Sequence, residues 1–180
     1  MAPGKQERFW NKLRGGPRSS LGRAPEVLEE VLADLSLFPL LFSGMLQEDP
    51  VLRARCADVA EKASRRHPDL LLPFRKMLLD TLAAIDQQEV RWHVAQMLGY
   101  VDWTPGQRKK ALEILAGWIQ GEQSRIVRVM ALQSLADLSQ GDPAARRRAG
   151  ELLKALARGK IPSLASRARN ILRKPPYGPA

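Results

Sequence analysis

Apolar side chains recur along this chain at the spacing of helices packed in pairs. Leu52, Val90, Val127 and Leu164 lie 38, 37 and 37 residues apart. The same frame carries apolar residues four positions later (Cys56, Val94, Ala131, Ala168), eight later (Ala60, Leu98, Leu135, Leu172) and twelve earlier (Leu40, Leu78, Leu115, Leu152). Positions 0, +4 and +8 form one stripe of a helix, and the set twelve earlier belongs to a second helix across a short turn, so each period predicts a helical hairpin. Asp49-Pro50, Thr104-Pro105 and Asp142-Pro143 each set a capping acceptor before a proline suited to the first helical position, while Gly121, Gly141 and Gly159 fall in the breaks. The pattern predicts helices near 26–34, 37–47, 50–66, 69–84, 87–101, 105–120, 124–139, 143–158 and 162–173.

The two ends read differently. Residues 1–24 mix Gly15, Gly16, Pro17, Ser19, Ser20 and Gly22 with six basic side chains, a composition too poor in apolar area to offset the entropy of ordering, and they are expected to form a mobile basic arm. Within it Phe9, Trp10 and Leu13 would share one side of a short helix. Residues 175–180, with Pro175, Pro176 and Pro179, are expected to be a loose tail, which leaves 25–174 as the helical domain.

In three periods the second helix opens with a related run: Val51-Leu52-Arg53 with Cys56-Ala57, Glu89-Val90-Arg91 with Val94-Ala95, and Ile126-Val127-Arg128 with Ala131. Over about residues 36–173 the chain resembles the HEAT-repeat family of paired-helix solenoids. The fourth period departs, with Ala165 where the arginine would stand, as a terminal cap does. The resemblance implies an all-α, HEAT-like right-handed α-solenoid of about four repeats plus one N-terminal helix. It implies no particular activity, because the family is defined by architecture.

Composition agrees with helix over sheet: Leu, Ala and Arg dominate, aromatics are 6%, and Val, Ile and Thr are sparse. Charge is unevenly placed, with a net +5 over 1–25, −4 over 26–143 and +9 over 144–180 within the total of +10. The basic excess at the ends does not describe a uniform nucleic-acid-binding face. A lone Cys56 supports neither an intramolecular disulfide nor a thiolate zinc site, and the charged start carries no signal-peptide apolar run. The longest apolar stretch, Leu35 to Leu46, is interrupted by Ser36, Pro39, Ser43 and Gly44 and is too short to span a bilayer. A cytoplasmic monomer is the expectation.

Catalytic signatures are missing: the sequence has no phosphate-binding glycine loop, no His-Glu-x-x-His and no nucleophile elbow, and its two histidines, His67 and His93, fall in different periods. No catalytic residue, metal or cofactor is therefore expected. Arg53, Arg91 and Arg128 form a ladder with one member per repeat, each able to bond a group in the adjacent turn or, in the alternative, a phosphate. Arg146, Arg147 and Arg148 are further basic candidates at the solvated end.

Offsets +2 and +6 from the core position point away from the packed side of the second helices, toward what would be the concave wall of a solenoid. One row carries Ala54, Trp92, Val129 and Ser166, the next Asp58, Gln96, Gln133 and Asn170. Trp92 and Val129 flanked by Gln96 and Gln133, with Asp58 and Asn170 at the ends, read as a binding groove for a protein or peptide. The expected function is thus a non-enzymatic scaffold. The alternative is nucleic-acid binding, as in DNA alkylation-repair glycosylases, which are also HEAT-like solenoids but whose motif has no residue-by-residue match here. A third reading has the arm, through Phe9, Trp10 and Leu13, docking on an anionic membrane or a partner's groove.

Overall fold

Asp49 and Asp142 begin their helices as their position before proline predicts. The Asp49 carboxylate accepts from the backbone N–H groups of Val51 (2.8 Å) and Leu52 (3.2 Å), and Asp142 does the same for Ala144 (2.8 Å) and Ala145 (3.1 Å). In the computed structural model, which describes residues 3–178, the helices are α1 (Pro3–Asn11), α2 (Ala24–Ala33), α3 (Phe38–Gly44), α4 (Pro50–Arg66), α5 (Arg75–Asp80), α6 (Gln88–Tyr100), α7 (Pro105–Gly121), α8 (Arg125–Leu138), α9 (Pro143–Ala157) and α10 (Pro162–Leu172). No strand occurs among the described residues, and no helix there is long and apolar enough to cross a membrane. The chain divides into two compact units, Met1–Met97 and Leu98–Ala180.

The periodic positions are the core of both units. Leu52, Val90 and Val127 are fully buried and Leu164 is 1% exposed, and Cys56, Val94, Ala131, Ala168, Ala60, Leu98, Leu78 and Leu115 are also fully buried. Leu152 and Leu172, in the last hairpin, are only half-buried.

In the first unit α2 and α3 pack on α4, and α1 packs on α3. Gly44 permits the close approach of α3 to α4, because a Cβ there would stand 2.4 Å from Cys56 Sγ. Phe42 stacks on Phe74 with ring centroids 4.0 Å apart, and Phe38 leans on both rings. The single helix expected over 69–84 is instead a 3₁₀ segment (Pro68–Phe74), α5, and a short 3₁₀ turn (Leu82–Ala84). Pro73 explains the break: it has no N–H to donate and its ring obstructs the carbonyl four residues back. The helix expected over 37–47 is likewise shorter, a 3₁₀ turn (Leu35–Leu37) followed by α3.

The mobile arm is corrected by the structure. Residues 4–10 lie in α1, and Phe9 and Trp10 are buried, as is Leu13, which has no exposure. The Trp10 indole N–H donates to the Leu40 carbonyl at 2.9 Å. Beyond α1 the chain wraps the guanidinium of Arg55, itself 4% exposed, which donates to the carbonyls of Leu13, Arg14, Gly15, Pro17 and Ser20. Gly15, Gly16 and Gly22 take positive φ (73°, 74° and 51°) to make this wrap, and a Cβ at Gly22 would lie 2.7 Å from Arg55 Cζ. Composition predicts disorder because the segment holds few apolar side chains, whereas its order comes from burial of Phe9, Trp10 and Leu13 and, beyond α1, from a side chain 35 to 42 positions away. The apolar trio is committed to the core and is not an exposed docking face.

In the second unit α7 packs on α8, and α10 packs on both α9 and α8. Trp103 is 3% exposed and its indole N–H donates to the Leu98 carbonyl at 2.9 Å, stapling the turn into α7. The tail differs from expectation: the Tyr177 hydroxyl donates to the Ala136 carbonyl of α8 at 2.8 Å, so the chain folds back onto the unit as far as Gly178. Met1, Ala2, Pro179 and Ala180, part of the expected arm and tail, lie outside the described residues.

Two stability outcomes follow from this packing. Leu115→Ala or Leu135→Ala lowers stability by about 2–5 kcal/mol, and Leu152→Ala or Leu172→Ala by less, when measured by urea denaturation. Arg55→Ala costs about 2–4 kcal/mol because a buried donor set is removed, and it exposes the bonds after Arg14 and Arg18 to trypsin, as limited proteolysis reads directly.

Candidate functional site

Two clefts stand out among the described residues, one in each unit. That of the first unit, about 510 Å³, lies among α4, α6 and the loop Arg18–Leu21. Ala54, Arg55 and Asp58 come from α4, and Glu89, Trp92 and His93 from α6. Asp58 and Trp92 are the +6 and +2 positions of their helices, so the structure brings these two predicted residues to one site, with His93 beside them. The Trp92 and His93 rings meet edge to face, with centroids 5.4 Å apart.

The electrostatics of this cleft are largely satisfied from within. Asp58 Oδ2 accepts from Lys62 Nζ at 2.8 Å, and Oδ1 stands 3.8 Å from His93 Nε2, an ion-pair distance and not a hydrogen bond. Glu89 is paired with Arg18 at 3.3 Å. Burial pushes the His93 imidazole down to about 4 against the opposing pull of Asp58, so it is neutral at neutral pH; its Nδ1 has no partner among the described residues. Gln96, one turn on, is half-buried and donates to the Trp92 carbonyl at 3.4 Å.

The arginine ladder is engaged with turns. Arg53 donates to Gln87 Oε1 (2.7 Å) and to the carbonyls of Gln47 and Glu48, Arg91 pairs with Asp86 at 3.0 Å, and Arg128 donates to the Ile119 carbonyl at the end of α7 (2.8 Å). Each is thus bonded to the stretch of chain that precedes its own helix.

In the second unit Val129 and Gln133 are half-buried on α8 and Asn170 is exposed on α10. Gln133 donates to the Asp137 carboxylate and accepts from Arg167 at 3.2 Å, and burial raises the Asp137 carboxyl. Arg146, Arg147 and Arg148 are exposed along α9.

Sequence reasoning missed the second unit's cleft, about 880 Å³ between α7 and α9. Its walls are two helical stripes, Arg108, Leu112 and Ala116 on α7 and Ala145, Ala149 and Leu152 on α9, over a floor that includes Leu135. The signal was present in the sequence: Ala116, Ala145 and Ala149 line the space where bulkier side chains would have filled it.

Cys56 is buried and its thiol is pushed up by desolvation, away from the reactive thiolate. Among the described residues no group of three or more His, Cys, Asp or Glu is placed to hold a metal ion. No protein-family model matches the sequence, and no curated protein matches it.

His93 has a measurable consequence for stability. The unfolded chain binds its proton near the ordinary value of 6.5 and the folded chain only near 4, so burial imposes no penalty above pH 6.5 and stability falls as the pH drops through that window. The loss approaches about 3 kcal/mol when both states are protonated. Denaturation midpoints at neutral, mildly acidic and acidic pH show this slope in the wild type and a flatter one in His93→Gln.

Proposed function

We propose that the chain is a non-enzymatic, HEAT-like helical-repeat scaffold that binds a protein or peptide through the outward rows of its second helices. One observation carries this reading: on α6 and α8 the core stripe is closed and the adjacent row is open. Val90, Val94 and Leu98 are fully buried while Trp92 and Gln96 stay partly exposed. Val127 and Ala131 are likewise fully buried beside half-exposed Val129 and Gln133. A partly open indole with the amide of Gln96 one turn on is the composition of a binding anchor, since it combines large apolar area with few rotatable bonds.

Nucleic-acid binding is the second reading, and charge favours it. The first unit holds 14 basic and 13 acidic side chains, the second 15 and 6, so nearly the whole net charge belongs to the second. Against it stand the turn-closing roles of Arg53, Arg91 and Arg128, which direct those guanidiniums to the protein's own backbone and side chains.

Selection from a displayed peptide library, run beside titration with duplex DNA and single-stranded RNA at two salt concentrations, separates the readings. The scaffold reading expects enriched peptides whose affinity drops by about 2 kcal/mol or more in Trp92→Ala, with stability nearly unchanged. Nucleic-acid binding that weakens steeply with salt, with no peptide enriched, overturns it.

A further inference from the structure

The cleft between α7 and α9 is unrelated to the rows on the second helices, and its chemistry points to a particular occupant. Arg108 and Ala116 are eight residues apart, so the α7 wall runs for about 12 Å, the length of two helical turns. The other wall, on α9, is Ala145, Ala149 and Leu152, at i, i+4 and i+7 along one helical stripe. Leu112, Ala116 and Leu152 remain partly exposed, so the walls offer apolar surface to a partner. A groove between two helical walls, narrowed by no side chain larger than alanine at Ala116, Ala145 and Ala149, accepts the ridge of another helix, whose anchors recur at i, i+4 and i+7.

Charge selects the kind of helix. Arg108, Lys109 and Arg148 line the cleft against Glu113 and Asp142, and Asp142 is already engaged in capping α9. Arg108 lies across the end of the cleft: its Nη1 is 3.1 Å from where a Cβ of Gly141 would stand. Its Nε is buried and donates to no group among the described residues, an orphan donor beside an apolar groove. Its ion-pair contact is a distant one, 3.9 Å from the exposed Asp102 carboxylate. The surrounding unit is strongly positive, so it attracts anionic partners and repels basic ones.

We infer that the α7–α9 cleft docks an acidic amphipathic helix of a protein partner, its apolar ridge seated between Ala116 and Ala149 and its carboxylates facing Arg108, Lys109 and Arg148. This site is separate from the one assigned to Trp92. A partner helix with basic flanks would bring like charges together over the same apolar floor and is excluded by that repulsion.

The test uses two labelled, helix-stapled peptides with identical leucine ridges, one flanked by glutamate and one by lysine, titrated onto the full chain by fluorescence anisotropy. The glutamate peptide binds at least about tenfold tighter than the lysine peptide, and the difference narrows with salt. Ala116→Trp, which fills the groove, weakens it about tenfold or more, and Arg108→Gln with Arg148→Gln brings the two peptides to within about threefold of each other. Circular dichroism verifies that each variant is folded, and Leu112→Gln replaces Ala116→Trp as the deciding variant if that substitution disturbs the fold. Trp92→Ala leaves the glutamate peptide's affinity unchanged, which distinguishes failure of this site from failure of the Trp92 site. Equal affinity for the two peptides, no binding of the glutamate peptide at about 100 µM, or binding indifferent to the groove variants overturns the inference. Duplex DNA whose affinity is lost in Ala116→Trp also overturns it, by assigning the cleft to nucleic acid.

Discussion

A guanidinium buried without a carboxylate hydrogen-bonded to it needs oxygen atoms from somewhere, and Arg55 obtains them from the backbone of a distant segment. Its donors reach the carbonyls of Leu13, Arg14, Gly15, Pro17 and Ser20, which would otherwise face water in a loop of irregular dihedrals. The exchange works in both directions: the loop gives a buried cation its solvation shell, and the cation gives the loop the hydrogen bonds that secondary structure would have supplied. With the loop fixed, Phe9, Trp10 and Leu13 are held in the core, and Arg18 to Leu21 are held over Ala54 and Asp58, which makes the first cleft a cleft.

The helical part of this fold was legible because it is periodic. Positions such as Leu52, Val90 and Val127 repeat at a fixed interval, and each of them is fully buried. What escaped was aperiodic. The break at Pro73 turns on one missing N–H, and the ordering of residues 13–22 turns on one arginine that reads as an ordinary member of α4. Of the candidate site residues, the partial exposure of Trp92, Gln96, Val129 and Gln133 follows from helical geometry alone. His93 was harder to place, since a histidine one position past Trp92 has no pattern that announces burial against Asp58. The α7–α9 cleft was written as alanines, which look like filler in a repeat and act as space in three dimensions.

Charge separates the two halves of the chain more sharply than their shared helical pattern implies. In the first unit acids and bases nearly cancel and meet in local pairs, Lys12 with Glu30, Lys62 with Asp58, Arg18 with Glu89. In the second unit most cations lack an acid, and their mutual repulsion opposes compaction unless an anionic partner relieves it. The same helical grammar therefore builds a self-neutralised half and a half whose surface favours counter-charge.

The two most buried tryptophans fall one in each unit, Trp10 bonded to Leu40 and Trp103 bonded to Leu98. Each indole sits in a dry environment with its N–H held by a carbonyl, a setting that changes emission wavelength when water enters. Intrinsic fluorescence thus contains two separate optical reporters. Chains in which only Trp10 or only Trp103 remains emissive would reveal the order in which the halves of the molecule come apart, without any extrinsic dye.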